Sequence, residues 1–309
     1  QGSPSKQEPP CKRARTASLE AIEPDARIQE CVQKLQQHTS TAAWRRCSPL
    51  LDILVRIAAH AQQQPHVRSS GVMPLLFICL RSLGPPGKAK AALILSFTAA
   101  GHEVSIANSA CRLLLDMLES ENIEAQVCSL KALTELCKVK AACGKIIKSG
   151  PFHILNVLGT SENVEVREHA LRLLAYLSES EEGATETIEV GSLPMLLESL
   201  QVADGSSCSS WAAGTLANLI DAVPTCAEQI ELSADLGKML SAMLEGHGTK
   251  GKVASVRLVG RLMQRKDALL QFQQAGLTKR IAEMLESHSV LPAAVTADAK
   301  RILAALGPP

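Results

Sequence analysis

Apolar residues along this chain recur at helical spacing, in runs broken by short polar segments. The clearest run places Val166, Ala170, Leu173, Leu174 and Leu177 on one face, the i, i+4, i+7, i+8 pattern of a helix with a buried stripe. Alternating strand patterns are almost absent, so the sequence predicts an all-α fold. A shorter apolar phrase also returns. Its clearest copies are Gly71-Val-Met-Pro-Leu-Leu-Phe-Ile-Cys-Leu80 and Gly191-Ser-Leu-Pro-Met-Leu-Leu-Glu-Ser-Leu200. Ser109 to Leu118 and Gly276 to Leu285 are weaker copies, Gly150 opens one a residue short, Asp235 opens another, and a degenerate one opens at Ala26. The starts at 26, 71, 109, 150, 191, 235 and 276 lie 45, 38, 41, 41, 44 and 41 residues apart. Self-similarity of this period is the mark of a solenoid, in which each unit buries its apolar face only against its neighbours.

Each phrase predicts a helix of about ten residues. A polar break follows, such as Gly84-Pro-Pro-Gly87, Glu119-Ser-Glu-Asn122 or Gly159-Thr-Ser-Glu-Asn163, and then a longer helix. Residues 1–25 read as a disordered, basic and Pro-rich tail, punctuated by Gly2, Pro4, Pro9, Pro10 and Pro24. Residues 26–309 read as the repeat array, with Gly307-Pro-Pro309 stopping its last helix. The chain opens on Gln1 and not Met, which reads as a processed chain or a fragment of something longer. Gly237, Gly246, Gly248, Gly251 and Gly260 crowd the sixth unit, which is expected to be the flexible joint of the array.

The opening Gly-x-x-Pro-x-Leu phrase (Gly71/Pro74, Gly191/Pro194) and the later helix Ala212-Ala-Gly-Thr-Leu-Ala-Asn-Leu219, with relatives at Ala170 to Leu177 and Cys128 to Leu136, resemble the armadillo repeat family. HEAT repeats are the structural alternative. The glycine heading the phrase favours armadillo, where it turns the chain sharply between the first and second helices. The resemblance implies a right-handed superhelical solenoid of about seven three-helix units whose third helices line a concave groove. It also implies a binding protein and not an enzyme, with extended peptides, helices or other proteins as ligands.

Aligning the seven third helices on Leu54, Leu95, Leu133, Leu174, Leu216, Val259 and Leu303 gives two ladders of groove positions. Two residues after the anchor stand Arg56, Phe97, Glu135, Tyr176, Asn218, Arg261 and Ala305. Nuclear-import adaptors of this family carry a run of Asn there, and only Asn218 keeps it. Two residues before the anchor stand Asp52, Leu93, Lys131, Arg172, Gly214, Arg257 and Arg301. The adaptors place Trp at that position; here Trp211 falls three residues too early. The predicted groove residues are therefore Arg56, Lys131, Arg172, Tyr176, Asn218, Arg257, Arg261 and Arg301. Their charge predicts an acidic or phosphorylated extended partner, since Arg holds carboxylates and phosphates by paired hydrogen bonds.

Composition narrows the classes further. Lys and Arg number 32 against 31 Asp and Glu, for a net charge of +1, which gives no global pull towards nucleic acid or membrane. Aromatics are only 2%, too few for a base-stacking surface. No apolar stretch reaches the roughly 20 residues of a membrane helix. The ten cysteines form no CxxC pair and mostly occupy apolar repeat positions, as free thiols in a reducing, cytoplasmic setting, with the nucleus as a second location. In the tail, Lys12, Arg13 and Arg15 match a short nuclear-import signal, and Arg13-x-Arg15-x-x-Ser18 makes Ser18 a candidate phosphosite.

Other chemistry fits poorly. Gly246-His-Gly-Thr-Lys-Gly251-Lys252-Val253 has P-loop spacing but puts Val253 where a magnesium-binding hydroxyl belongs, after a helix pattern where a strand is required. His60 and His66 lack metal-ligand spacing, and no cofactor or metal is expected. The leading expectation is a non-catalytic scaffold. A nuclear transport adaptor, or the recruiting array of a larger enzyme, are the alternatives.

Overall fold

The computed structural model describes residues 24–99, 104–201, 207–245, 248–286 and 291–307. Among them are helices and turns but no strand. Seven long helices dominate: α2 (Trp44–Ala58), α5 (Pro85–Thr98), α7 (Ile123–Cys137), α10 (Val164–Leu177), α13 (Cys208–Ala222), α16 (Thr249–Leu262) and α19 (Ala293–Leu306). One or two helices precede each: the 17-residue α1 (Pro24–Ser40), α3 (Gln64–Ser69) with α4 (Met73–Ser82), the 15-residue α6 (Val104–Leu118), α8 (Lys140–Lys148) with α9 (Phe152–Leu158), α11 (Glu181–Glu189) with α12 (Leu193–Leu200), α14 (Cys226–Gln229) with α15 (Ala234–Glu245), and α17 (Ala268–Gln274) with α18 (Leu277–Glu286).

One stripe explains why the long helices stack. Spaced by four, three and four residues, it reads Cys47, Leu51, Leu54, Ala58 in α2 and Val166, Ala170, Leu173, Leu177 in α10. It returns as Cys208, Ala212, Thr215, Leu219 in α13 and as Val295, Ala299, Ile302, Leu306 in α19, every member buried. Each long helix packs directly on the next, from α2 through α5, α7, α10, α13 and α16 to α19. The result is an all-α, armadillo-like solenoid, with its core running through the stack as one continuous cluster.

The recurring phrase has a backbone cause. Gly71, Gly150, Gly191 and Gly276 all sit at positive φ, between 66° and 80°, each between two short helices. That left-handed conformation suits a residue without Cβ. The polar breaks are helix starts: Asn122 Oδ1 accepts from the Ala125 amide at 2.8 Å and Asn163 Oδ1 from the Val166 amide at 3.1 Å, capping α7 and α10. Units one and three depart from the three-helix plan. The described part of the first unit has only α1 before its long helix, and Ser109, read as the start of a phrase, lies inside the single helix α6.

Glycines of the sixth unit partly serve packing. A Cβ on Gly237 would lie 2.4 Å from the Ala275 Cβ, so the glycine admits close approach of the chain just after α17. Among the described residues every cysteine but Cys143 is buried. Burial pushes Cys79 up to about 12 and Cys111 and Cys128 up to about 11. Among the described residues no helix is long and apolar enough to cross a membrane, and no group of three His, Cys, Asp or Glu is placed to hold a metal.

Candidate groove across the long helices

The buried stripe fixes which side chains lie level with one another. It confirms the anchors in α5, α7, α10, α13, α16 and α19 but shifts α2 by one. There, Leu54 matches Leu173, and Val55 takes the anchor position of Leu174. The ladder positions in α2 therefore belong to Ile53 and Ile57. Arg56 is exposed at the equivalent of Ala175, one residue off the ladder.

Four expected residues come together where α10, α13 and α16 meet: Arg172, Tyr176, Asn218 and Arg257. Trp211, from the first turn of α13, lies beside Arg172 and Tyr176. The Arg172 guanidinium lies 5.5 Å from its ring centroid and the Lys250 ammonium 5.2 Å, from helices on either side. Tyr176 packs against the same indole with ring centroids 6.2 Å apart. Three successive long helices thus converge on one tryptophan. Below it, Ala175, Gly214, Val253 and Ala254 line a cleft of about 260 Å³.

The remaining ladder residues are dispersed or internally paired. Lys131, one helix earlier, reaches Glu165 at 3.4 Å. Arg172 lies 3.9 Å from Glu135, which Lys138 holds more closely at 2.6 Å. Arg261 grips Asp221 through two hydrogen bonds, one of them 3.2 Å long, and Arg257 lies 3.7 Å from the same carboxylate. Arg301 stands at the far end, 80% exposed and paired with Asp298 at 3.2 Å. The basic stripe expected from sequence is therefore interleaved with carboxylates.

Asn218 is committed to the fold. Its Nδ2 donates to the Ala175 carbonyl at 3.2 Å and to Ser178 Oγ at 3.1 Å, and its Oδ1 accepts from Arg257 at 3.0 Å. Ala175 carries one of the carbonyls left without an intrahelical partner at the end of α10. Asn218 thus caps the preceding long helix from the next unit through its Nδ2, while its Oδ1 holds Arg257 of the following one.

Elsewhere, α15 leads towards the segment with P-loop spacing, and Thr249 to Val253 form the first turns of α16. Gly246 and His247 lie outside the described residues, as do Lys12, Arg13, Arg15 and Ser18 of the tail. His169 is partly buried, and desolvation with Lys131 and Arg172 nearby holds its imidazole below the usual histidine range. Sequence reasoning missed Lys250 and the position of Trp211 between cations; the signal available was a tryptophan with Arg172 and Lys250 about one repeat away on each side.

No family model and no curated protein matches the chain. Solved structures do. A crystal structure of an engineered protein superposes with a TM-score of 0.69 at 21% identity, covering 84% of this chain; the chain spans 64% of that protein. Computationally designed armadillo repeat proteins for modular peptide recognition give 0.61 at 20% identity, over 76% of this chain and all of theirs. A designed armadillo repeat protein in complex with the peptide (KR)4 gives 0.58 at 19% identity, over 76% of this chain and 99% of its own.

Proposed function

We propose, taking the armadillo-like solenoid as premise, that this chain is a non-catalytic scaffold holding an extended, acidic or phosphorylated partner segment along its long helices. The observation that carries the reading is the convergence of Arg172, Trp211 and Lys250 from α10, α13 and α16. Lys131 and Tyr176 extend the same surface. Arg257 and Arg261 act mainly as braces, through Asn218 and Asp221. The Arg172–Glu135 pair is long at 3.9 Å, and Lys138 already holds the same carboxylate at 2.6 Å, so a partner carboxylate or phosphate displaces it at small cost. An Arg then gains a forked, charge-assisted contact. The designed neighbours made for peptide recognition support a peptide-binding use of this fold. One of them holds a basic peptide, which speaks for a transport-adaptor reading; the commitment of Asn218 to its neighbouring helix speaks against it here. The cytoplasm is the proposed location, with passage to the nucleus through Lys12, Arg13 and Arg15.

The test is fluorescence anisotropy with labelled extended peptides of acidic, phosphoserine and basic composition. Acidic or phosphorylated peptides should bind the wild-type chain, more weakly as salt rises. Arg172→Glu/Lys250→Glu should abolish the binding while leaving the Asn218–Arg257 brace intact. A preference for the basic peptide, or an unaffected double variant, would defeat the reading.

A further inference from the structure

Gly214 occupies the middle of the 15-residue helix α13, where glycine weakens a helix relative to alanine. Packing does not call for it: a Cβ built there meets no heavy atom within 4 Å. Elsewhere in the array, Gly237 is excused by a contact at 2.4 Å. What Gly214 leaves is space. It stands on the ladder between Arg172 and Arg257, and it opens the cleft of about 260 Å³ bounded by Trp211, Ala175, Val253 and Ala254. An apolar cavity of about 150 Å³ already accommodates a benzene ring, so this one has room for a single large side chain.

Charge is distributed unevenly around the opening. Glu179 and Asp221 gather where α10 and α13 end. Arg172 and Lys250 flank Trp211 towards the starts of α13 and α16, and the N-terminus of the 14-residue α16 adds its positive dipole on that edge. An occupant with an apolar side chain and an anionic neighbour on one side matches this layout.

We infer that the Gly214 cleft receives one bulky apolar side chain, aromatic by preference, from an extended segment whose adjacent carboxylate or phosphate reaches Arg172 and Lys250. This rests on the groove reading above and specifies which residue pattern the groove selects. The aromatic preference follows from the Trp211 wall, against which a ring stacks. The glycine keeps the groove floor open at this one step.

The chain has two tryptophans, so Trp44→Phe leaves Trp211 as the reporter. Two nine-residue probes of Asp, Glu and Ser are titrated into that full chain, one with a central Phe and one with a central Gly. The Phe probe should bind at least tenfold more tightly and change Trp211 emission. Gly214→Met, which fills the cleft from its floor and favours the helix, should erase the Phe advantage. Thermal melting confirms that this variant is folded; should it not be, Trp211→Ala, read by anisotropy of dye-labelled probes, provides a second arm and should also reduce the preference. Equal affinity for the two probes in the wild-type cleft, or a Phe preference that survives in folded Gly214→Met, would overturn the inference. If both probes still bind and Arg172→Glu/Lys250→Glu abolishes that binding, the groove reading stands without it. If neither probe binds, both fall together.

Discussion

Replacing Asn218 with Ala separates a structural brace from a ligand clamp. The side chain is buried and makes three hydrogen bonds, two to neutral groups of the preceding unit and one accepted from Arg257. A neutral hydrogen bond contributes roughly 0.5–1.5 kcal/mol and one to a charged group roughly 1.5–3 kcal/mol. Arg257 is partly exposed and retains Asp221 at 3.7 Å, which places its contact at the low end. The expected loss is about 2.5–4.5 kcal/mol. With about 2–4 °C per kcal/mol for large domains, the melting temperature should fall by about 5–18 °C. Circular dichroism melts of the full chain measure this, and anisotropy at a temperature where both proteins are folded measures binding of the Gly-centred acidic probe. That affinity should change less than threefold. An unchanged melt with a tenfold loss of binding would refute the reasoning and return Asn218 to the role it has in import adaptors.

Gly237→Ala should destabilise the chain by about 1–3 kcal/mol, because the new methyl overlaps Ala275, which follows α17; a melt at or above wild type would contradict the contact. Raised thiol pKa values make stability fall as the solution becomes alkaline. Unfolded thiols ionise near 9, while Cys79 holds its proton to about 12 and Cys111 and Cys128 to about 11. Unfolding therefore releases protons between about pH 9 and 12, and stability should decline over that window; a flat denaturation midpoint from pH 9 to 11 would show the thiols are not buried. Gly251 and Gly260 lie within α16, and α10 has no glycine. Hydrogen exchange should accordingly be faster in α16 than in α10, and equal protection would remove the case for a joint at unit six.

Much of the architecture was legible because helices and turns are encoded locally. The stripe Val166, Ala170, Leu173, Leu177 needs only helical periodicity, and Gly71 and Gly191 reveal positions of positive φ through their repetition. Register in α2 was not legible. Leu54 and Val55 are adjacent and both apolar, and only burial shows that Leu54 corresponds to Leu173. Charge compensation was hidden for a different reason. Arg261 meets Asp221 across 40 residues, Lys90 meets Asp52 across 38, and Asn218 meets Ala175 across 43. Such pairs follow from stacking geometry, which no window of sequence displays. Trp211 looked misplaced because a family pattern was being matched; its neighbours Arg172 and Lys250 come from other units.

Site-specific photo-crosslinking tests most directly whether the long-helix surface is the binding face. A benzophenone amino acid is placed at Ser210 or Thr249, both lining the Trp211 cleft, and for comparison at Val157, exposed on the short helix α9. With the acidic Phe-centred probe, residues 210 and 249 should crosslink, the yield should fall with excess unlabelled probe, and residue 157 should remain unlabelled. Crosslinking at residue 157 with none at 210 or 249 would place the ligand on the short helices and contradict the account.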